Sequence, residues 1–132
     1  MKTASLSLAV LVFALGCSND RPITKPPTGG AGNLTLALAT PRTDDAALFF
    51  ELHGPGITAL TPTNSAVHLF ADSSGTSLRG AVFGVLTNGA LITFHVPDTT
   101  LRSSYTAAIL DVASDSNALR SDLTGYALRI AP

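Results

Sequence analysis

From Asn33 to the end of the chain, apolar and polar residues largely alternate with a period of two. Successive side chains of a strand point to opposite faces, so this spacing predicts half-buried β-strands. Leu34, Leu36 and Leu38 alternate with Thr35, Ala37 and Ala39 in the first run. Pro41 and Asp44-Asp45 supply the turn that follows. Ala46, Leu48, Phe50 and Leu52 then alternate with Ala47, Phe49, Glu51 and His53, until Gly54-Pro55-Gly56 breaks the run. Ile57 to Thr61 reads as a short edge strand stopped by Pro62. Val67, Leu69 and Ala71 alternate with His68, Phe70 and Asp72 as far as Ser73-Ser74-Gly75.

Asn88-Gly89 lies between two apolar runs, the preferred chemistry of a two-residue hairpin turn, in which both central residues need positive φ. Counting outward predicts the cross-strand pairs Thr87–Ala90, Val85–Ile92, Phe83–Phe94 and Ala81–Val96. That face is largely apolar and contains an aromatic pair, so the hairpin is expected at the centre of the core. Leu86, Gly84 and Val82 would then share the other face with Leu91, Thr93 and His95. Tyr105, Ala107 and Ile109 mark a further strand, running as far as Val112. The polar stretch 114–123 is expected to be a loop with a helical turn, and Tyr126, Leu128 and Ile130 mark a closing strand. No segment carries a long helical stripe. The fold class expected is all-β: a single small antiparallel β-sandwich of about 7–8 strands over residues 33–132.

The first residues follow a different rule. Lys2 is followed by an uncharged stretch from Ala4 to Gly16, within which Leu8 to Leu15 is unbroken apolar sequence. This is the layout of a secretory signal, too short to span a bilayer, which takes about 20 residues. Phe13-Ala14-Leu15-Gly16-Cys17 resembles the lipobox of bacterial lipoproteins, with Ala14 standing where Leu is commoner. The resemblance implies cleavage between Gly16 and Cys17, removal of residues 1–16, and lipidation of Cys17 with diacylglyceryl and amide-linked acyl chains. Several chains anchor a soluble domain far more firmly than one. By the same resemblance Ser18 points to the outer membrane, while Asp20 nearby bears the residue type that retains such proteins at the inner membrane. Residues 17–32, with three prolines and three glycines, then form a tether between lipid and domain. The alternating segments LTLALATPRTDDAALFFELHGPGI, AVFGVLTNGALITFHVPD, YTAAILDV and LTGYALRI resemble short, uncharacterised bacterial lipoproteins carrying one small sandwich, cohesin-like or immunoglobulin-like in broad description. Fold alone does not carry a partner across.

Composition narrows the function classes. The 132 residues are 45% hydrophobic and 13% charged, with formal net charge −1. Charged residues make up about 25% of an ordinary soluble domain, so this chain is short of charge. Eight basic against nine acidic side chains leave no basic cluster for nucleic acid, or for anionic lipid headgroups. One cysteine excludes a disulfide scaffold and a cysteine-built zinc site. The 28 Ser and Thr residues supply polar outer faces that charge does not.

Motifs that carry chemistry are few. His53, His68 and His95 are separated by 15 and 27 residues on three expected strands, without the close spacing of a metal site. Between Asp111 and Asp122, acidic residues occupy the first, fifth and twelfth places of a loop faintly similar to a dockerin or EF-hand loop. Ala113 replaces an oxygen ligand, Ser116 the required Gly, and Asp122 the longer Glu. The reading preferred is a solvated loop capped by Asp and Ser side chains, with no metal and no cofactor. Asp44-Asp45 reads as turn chemistry. With no nucleophile elbow and no phosphate loop, no catalytic residue is expected and the chain is read as no enzyme. Phe49 and Phe70 fall on the polar parity of their strands. They form either an exposed patch for a partner or packing at the domain's ends.

The expected function is therefore a lipid-anchored cell-envelope protein of structural or interaction type. It is held to the membrane by its N-terminal lipid, and an unknown envelope protein or glycan is its partner. A carbohydrate- or small-ligand-binding module is the alternative, and a small hydrolase stands behind both. With no Trp and only Tyr105 and Tyr126, the chain is poorly supplied with sugar-stacking residues.

Overall fold

The computed structural model describes residues 29–74 and 76–132. The expected leader 1–16, the Gly16–Cys17 junction and the tether as far as residue 28 lie outside them. Among the described residues the alternating runs become eight strands: β1 (Gly32–Ala39), β2 (Asp45–His53), β3 (Thr58–Pro62), β4 (Val67–Ser74), β5 (Ser77–Gly84), β6 (Gly89–Val96), β7 (Thr106–Ser114) and β8 (Ala127–Ala131). They form two four-stranded antiparallel sheets, ordered β3-β6-β1-β8 and β4-β5-β2-β7. The fold is the all-β sandwich that the alternation predicts. Helix enters at Thr99–Ser104, a 3-10 segment whose first turn is capped by the Asp98 side chain accepting from the Thr100 N–H. The stretch expected to hold a helical turn, 114–123, contains turns and an isolated bridge between Ala113 and Leu119.

The inward rows follow the period of two. Leu34, Leu36 and Leu38 of β1, Leu48, Phe50 and Leu52 of β2, and Ile92, Phe94 and Val96 of β6 are buried and belong to one cluster. Each fully buried side chain of this kind contributes about 1.5–3 kcal/mol, set against the entropy of ordering the chain. Tyr105 closes one end of the sandwich. Its ring centroid lies 6.0 Å from that of Phe94, and its hydroxyl donates to the Pro55 carbonyl at 2.8 Å.

The expected hairpin does not form. β5 and β6 lie in opposite sheets, so the pairs Thr87–Ala90, Val85–Ile92, Phe83–Phe94 and Ala81–Val96 are replaced by β5 pairing with β2 and β4, and β6 with β1 and β3. A two-residue turn of this class needs two positive φ angles. Here Gly89 has φ 122°, while Asn88 is not among the left-handed residues. Other partners claim the connecting segment. The Asn88 side chain accepts from the Thr40 N–H at 2.7 Å, the Leu86 N–H donates to the Asp45 carbonyl at 3.1 Å, and the Leu86 side chain is buried. Residues 85–88 are thus a crossover between sheets.

The inward face of β5 is also the reverse of that expected. Leu78, Gly80 and Val82 point into the core, while Phe83 and Val85 are 38% and 67% exposed. The inward parity contains Gly80 and Gly84, which dilute its apolar signal in the sequence. Gly80 lies opposite Phe50, and a Cβ there would overlap the Phe50 ring, so the missing side chain is the space that this buried aromatic fills. A bulge adds a second departure from strict alternation. Leu36 pairs with Ile92 but Ala37 with Ala90, which turns both Leu91 and Ile92 inward.

Candidate functional site

The outer face of the β4-β5-β2-β7 sheet carries the exposed aromatic residues. Cross-strand register places Phe70 of β4 opposite Ala81 of β5, Ala81 opposite Phe49 of β2, and Phe49 opposite Asp111 of β7. The small Ala81 between two phenylalanines leaves a shallow depression of about 490 Å³. Phe83 braces both walls, its ring edge-on to them with centroids 5.9 Å from Phe49 and 5.9 Å from Phe70. Such edge-to-face pairs add about 0.5–1.5 kcal/mol beyond area burial, so the three rings brace one another at the surface. Phe49 and Phe70 remain 40% and 65% exposed.

A bulge in β7 completes the wall. Phe49 pairs with Asp111 but Phe50 with Ile109, so Leu110 is the extra residue. Leu110 and Asp111, consecutive in sequence, are both exposed and both line the depression. Along the sheet from Ala81 the next row is charged: Asp72 opposite Arg79, and Arg79 opposite Glu51. Arg79 turns toward Glu51, with Nε 3.3 Å from Oε1. Hydrogen bonds from His53, Ser77 and Arg79 hold the Glu51 carboxyl below the usual carboxylate range against its partial desolvation. Neither Asp72 nor Asp111 forms a salt bridge among the described residues.

The sequence singled out Phe49 and Phe70, and the structure brings them to one depression. Phe83 and Leu110 escape it, and Asp111, weighed in the sequence as part of a cation loop, lines the depression instead. The hairpin count places Phe83 in the core, and Leu110 reaches the surface through a bulge that alternation does not reveal. Replacing both Phe49 and Phe70 by Ser is expected to cost about 1–3 kcal/mol, because the change removes part-exposed area and two edge contacts. Phe50→Ser should cost well above that range, since it leaves a cavity and a buried hydroxyl. Denaturant midpoints of the two variants check this; a collapse of the Phe49/Phe70 variant would make those rings part of the core.

A second polar cluster lies at one end of the sandwich. Asp45, buried at the start of β2, accepts from Thr40 Oγ1 at 2.5 Å, Arg120 Nε at 2.9 Å and Tyr126 Oη at 3.0 Å. Arg120 also reaches Asp44 at 2.6 Å. Burial pushes the Asp45 pKa up, but the hydrogen bonds from Thr40, Arg120 and Tyr126, with the Arg120 charge, outweigh it and the net shift is downward. Burial raises the Tyr126 hydroxyl, and its bond to Asp45 adds to the rise. These groups are saturated with one another, and their role is to tie the 115–126 loop to β2. Asp44-Asp45 therefore does more than flank a turn.

The remaining candidates are scattered. Asp122 accepts from the Thr124 N–H and hydroxyl, capping its own turn, while Asp111 faces the aromatic depression. His53 and His68 lie in one sheet and His95 in the other, where it contacts Asn33 at 3.1 Å. No group of three or more His, Cys, Asp or Glu side chains gathers among the described residues. Fold and site together define a small two-sheet sandwich with an aromatic surface depression. No family model matches the chain, and neither a curated protein nor a solved structure matches it significantly.

Proposed function

We propose that this chain is a lipid-anchored cell-envelope protein that works by binding rather than catalysis, and that the outer face of the β4-β5-β2-β7 sheet is its docking surface. The observation that carries this reading is the contiguous exposed group Phe49, Phe70, Phe83 and Leu110 on a strand-built, preorganised face. Contiguous apolar surface is costly to leave in water and marks interaction sites. Anchoring rests on the FALGC segment at residues 13–17 and its lipid-bearing Cys17. The carbohydrate alternative draws on the same face and would have to use phenylalanine. Tyr105 and Tyr126 are committed to the Pro55 carbonyl and to Asp45.

A photo-crosslinking residue at position 70 of the full chain, in cells, tests the docking surface. The expected result is one discrete crosslinked protein, absent when the same residue replaces Arg129 on β8 of the other sheet. Cys17→Ser should move the chain out of the membrane fraction. Equal or no crosslinking from the two positions would overturn the docking surface, and specific hits on a glycan array would favour the sugar reading.

A further inference from the structure

The charge around the depression is lopsided. Its aromatic walls, Phe49 and Phe70, are flanked by two carboxylates, Asp72 and Asp111, that form no salt bridge among the described residues. The one cation lining it, Arg79, is turned to Glu51. Aromatic faces carry negative potential and attract a cation within about 6 Å of the ring centroid. Rings and carboxylates therefore select for the same sign. The depression is shallow, with Ala81 between its walls and sheet backbone beneath. Small-molecule sites generally bury 70–90% of their ligand, whereas a shallow trough suits a side chain projecting from a larger surface.

We propose that the depression between Phe49 and Phe70 receives a lysine side chain of a partner protein, the methylene stem lying along the rings and Ala81 while the ammonium points to the rim at Asp72, with Asp111 on the far strand adding to the same field. This inference rests on the docking surface proposed above and adds the chemistry of the partner. A lysine stem is apolar and its head strongly hydrated, which fits a site whose middle is apolar and whose rim is charged and wet. Charge complementarity of this kind governs encounter rate and partner choice more than raw affinity.

The test uses the full lipidated chain in a nonionic detergent micelle, labelled with 4-fluorophenylalanine and followed by fluorine NMR. N-acetyl-lysine methylamide is titrated against the uncharged N-acetyl-norleucine methylamide. The expected result is movement of the Phe49, Phe70 and Phe83 signals with still signals from buried Phe50 and Phe94. The lysine compound should bind about fivefold or more tighter than the norleucine one, and the preference should fall with added salt. Asp72→Asn with Asp111→Asn should abolish the preference, the unmoved Phe50 and Phe94 signals reporting that the fold is intact. Equal binding of the two compounds, or a preference that survives the double variant, overturns the inference. So does a concentration-dependent dimer lost on Phe70→Ser, which would make a second copy the occupant. Crosslinking from position 70 reports the docking surface independently of charge. A discrete crosslink without lysine preference therefore overturns this inference alone, and loss of both results overturns the two readings together.

Discussion

Asp45→Ala is expected to cost about 3–5 kcal/mol of folding stability, the range found when one partner of a buried ion pair is removed. Small domains have only about 5–15 kcal/mol in total, so the variant should lie close to its unfolding threshold. The loss follows from what the carboxylate holds. It accepts three side-chain hydrogen bonds, one from Thr40 just after β1 and two from Arg120 and Tyr126 of the 115–126 loop. Without it, the mostly buried Arg120 keeps only Asp44. Removing both charges, in Asp45→Ala with Arg120→Met, should cost less than the sum of the single changes, because no unpaired cation is left behind. Denaturant midpoints of the four proteins give that coupling; additive losses would dissolve the network into separate contacts.

The same group predicts an acid response. Its folded pKa lies below the ordinary carboxylate value. The stability it contributes is therefore fully present above the unfolded value of about 3.9 and is lost as pH falls through the lower folded one. The stability gap between the wild-type chain and Asp45→Asn should be flat from about pH 5 to 8 and narrow below roughly pH 4. A gap that persists unchanged in strong acid would show that charge on Asp45 is not what the network uses.

Gly84→Ala is the second large effect, expected at about 3 kcal/mol or more. Gly84 ends β5 with φ 137°, a conformation that side chains rarely adopt, and it lies opposite Val67 of β4. A Cβ there would fall inside the Ala66 carbonyl oxygen, which belongs to backbone and cannot swing aside like a flexible side chain. Backbone strain costs about 1–3 kcal/mol, and overpacking typically adds about 1–3 more. Gly89→Ala separates the two. Its φ is 122°, but a Cβ there meets nothing within 4 Å, so only strain is added. Equal midpoints for the two variants would mean that the collision with β4 is relieved at no cost.

The glycines of β5 also show where alternation stops being informative. Gly84 and Gly80 sit on the inward parity of β5, and with no side chain they made the outward parity, Ala81, Phe83 and Val85, look like the core. The hairpin counted outward from Asn88-Gly89 relies on that apparent core face and so hides Phe83 from the candidate site, whereas the partners of Asn88 and Leu86 pre-empt the hairpin itself. Where the inward row was built of large side chains, as at Leu34, Leu36 and Leu38 or Leu48, Phe50 and Leu52, the reading of the faces agrees with the structure. The same holds for Phe70, read as outward from its polar neighbours His68 and Asp72.

What the sequence by itself determined is therefore local: strand character, turn positions, the faces of most strands, and with them the all-β class. These follow from period-two alternation and from residues that break it, both properties of neighbours in the chain. The tertiary structure alone decided which strands share a sheet, because pairing depends on contacts between segments far apart, such as Asn88 with Thr40 and Arg120 with Asp45. It also decided the shape of the depression. Ala81 is hollow only because Phe70 and Phe49 flank it on neighbouring strands, and Leu110 joins it only because a bulge admits one residue more than the pleat allows.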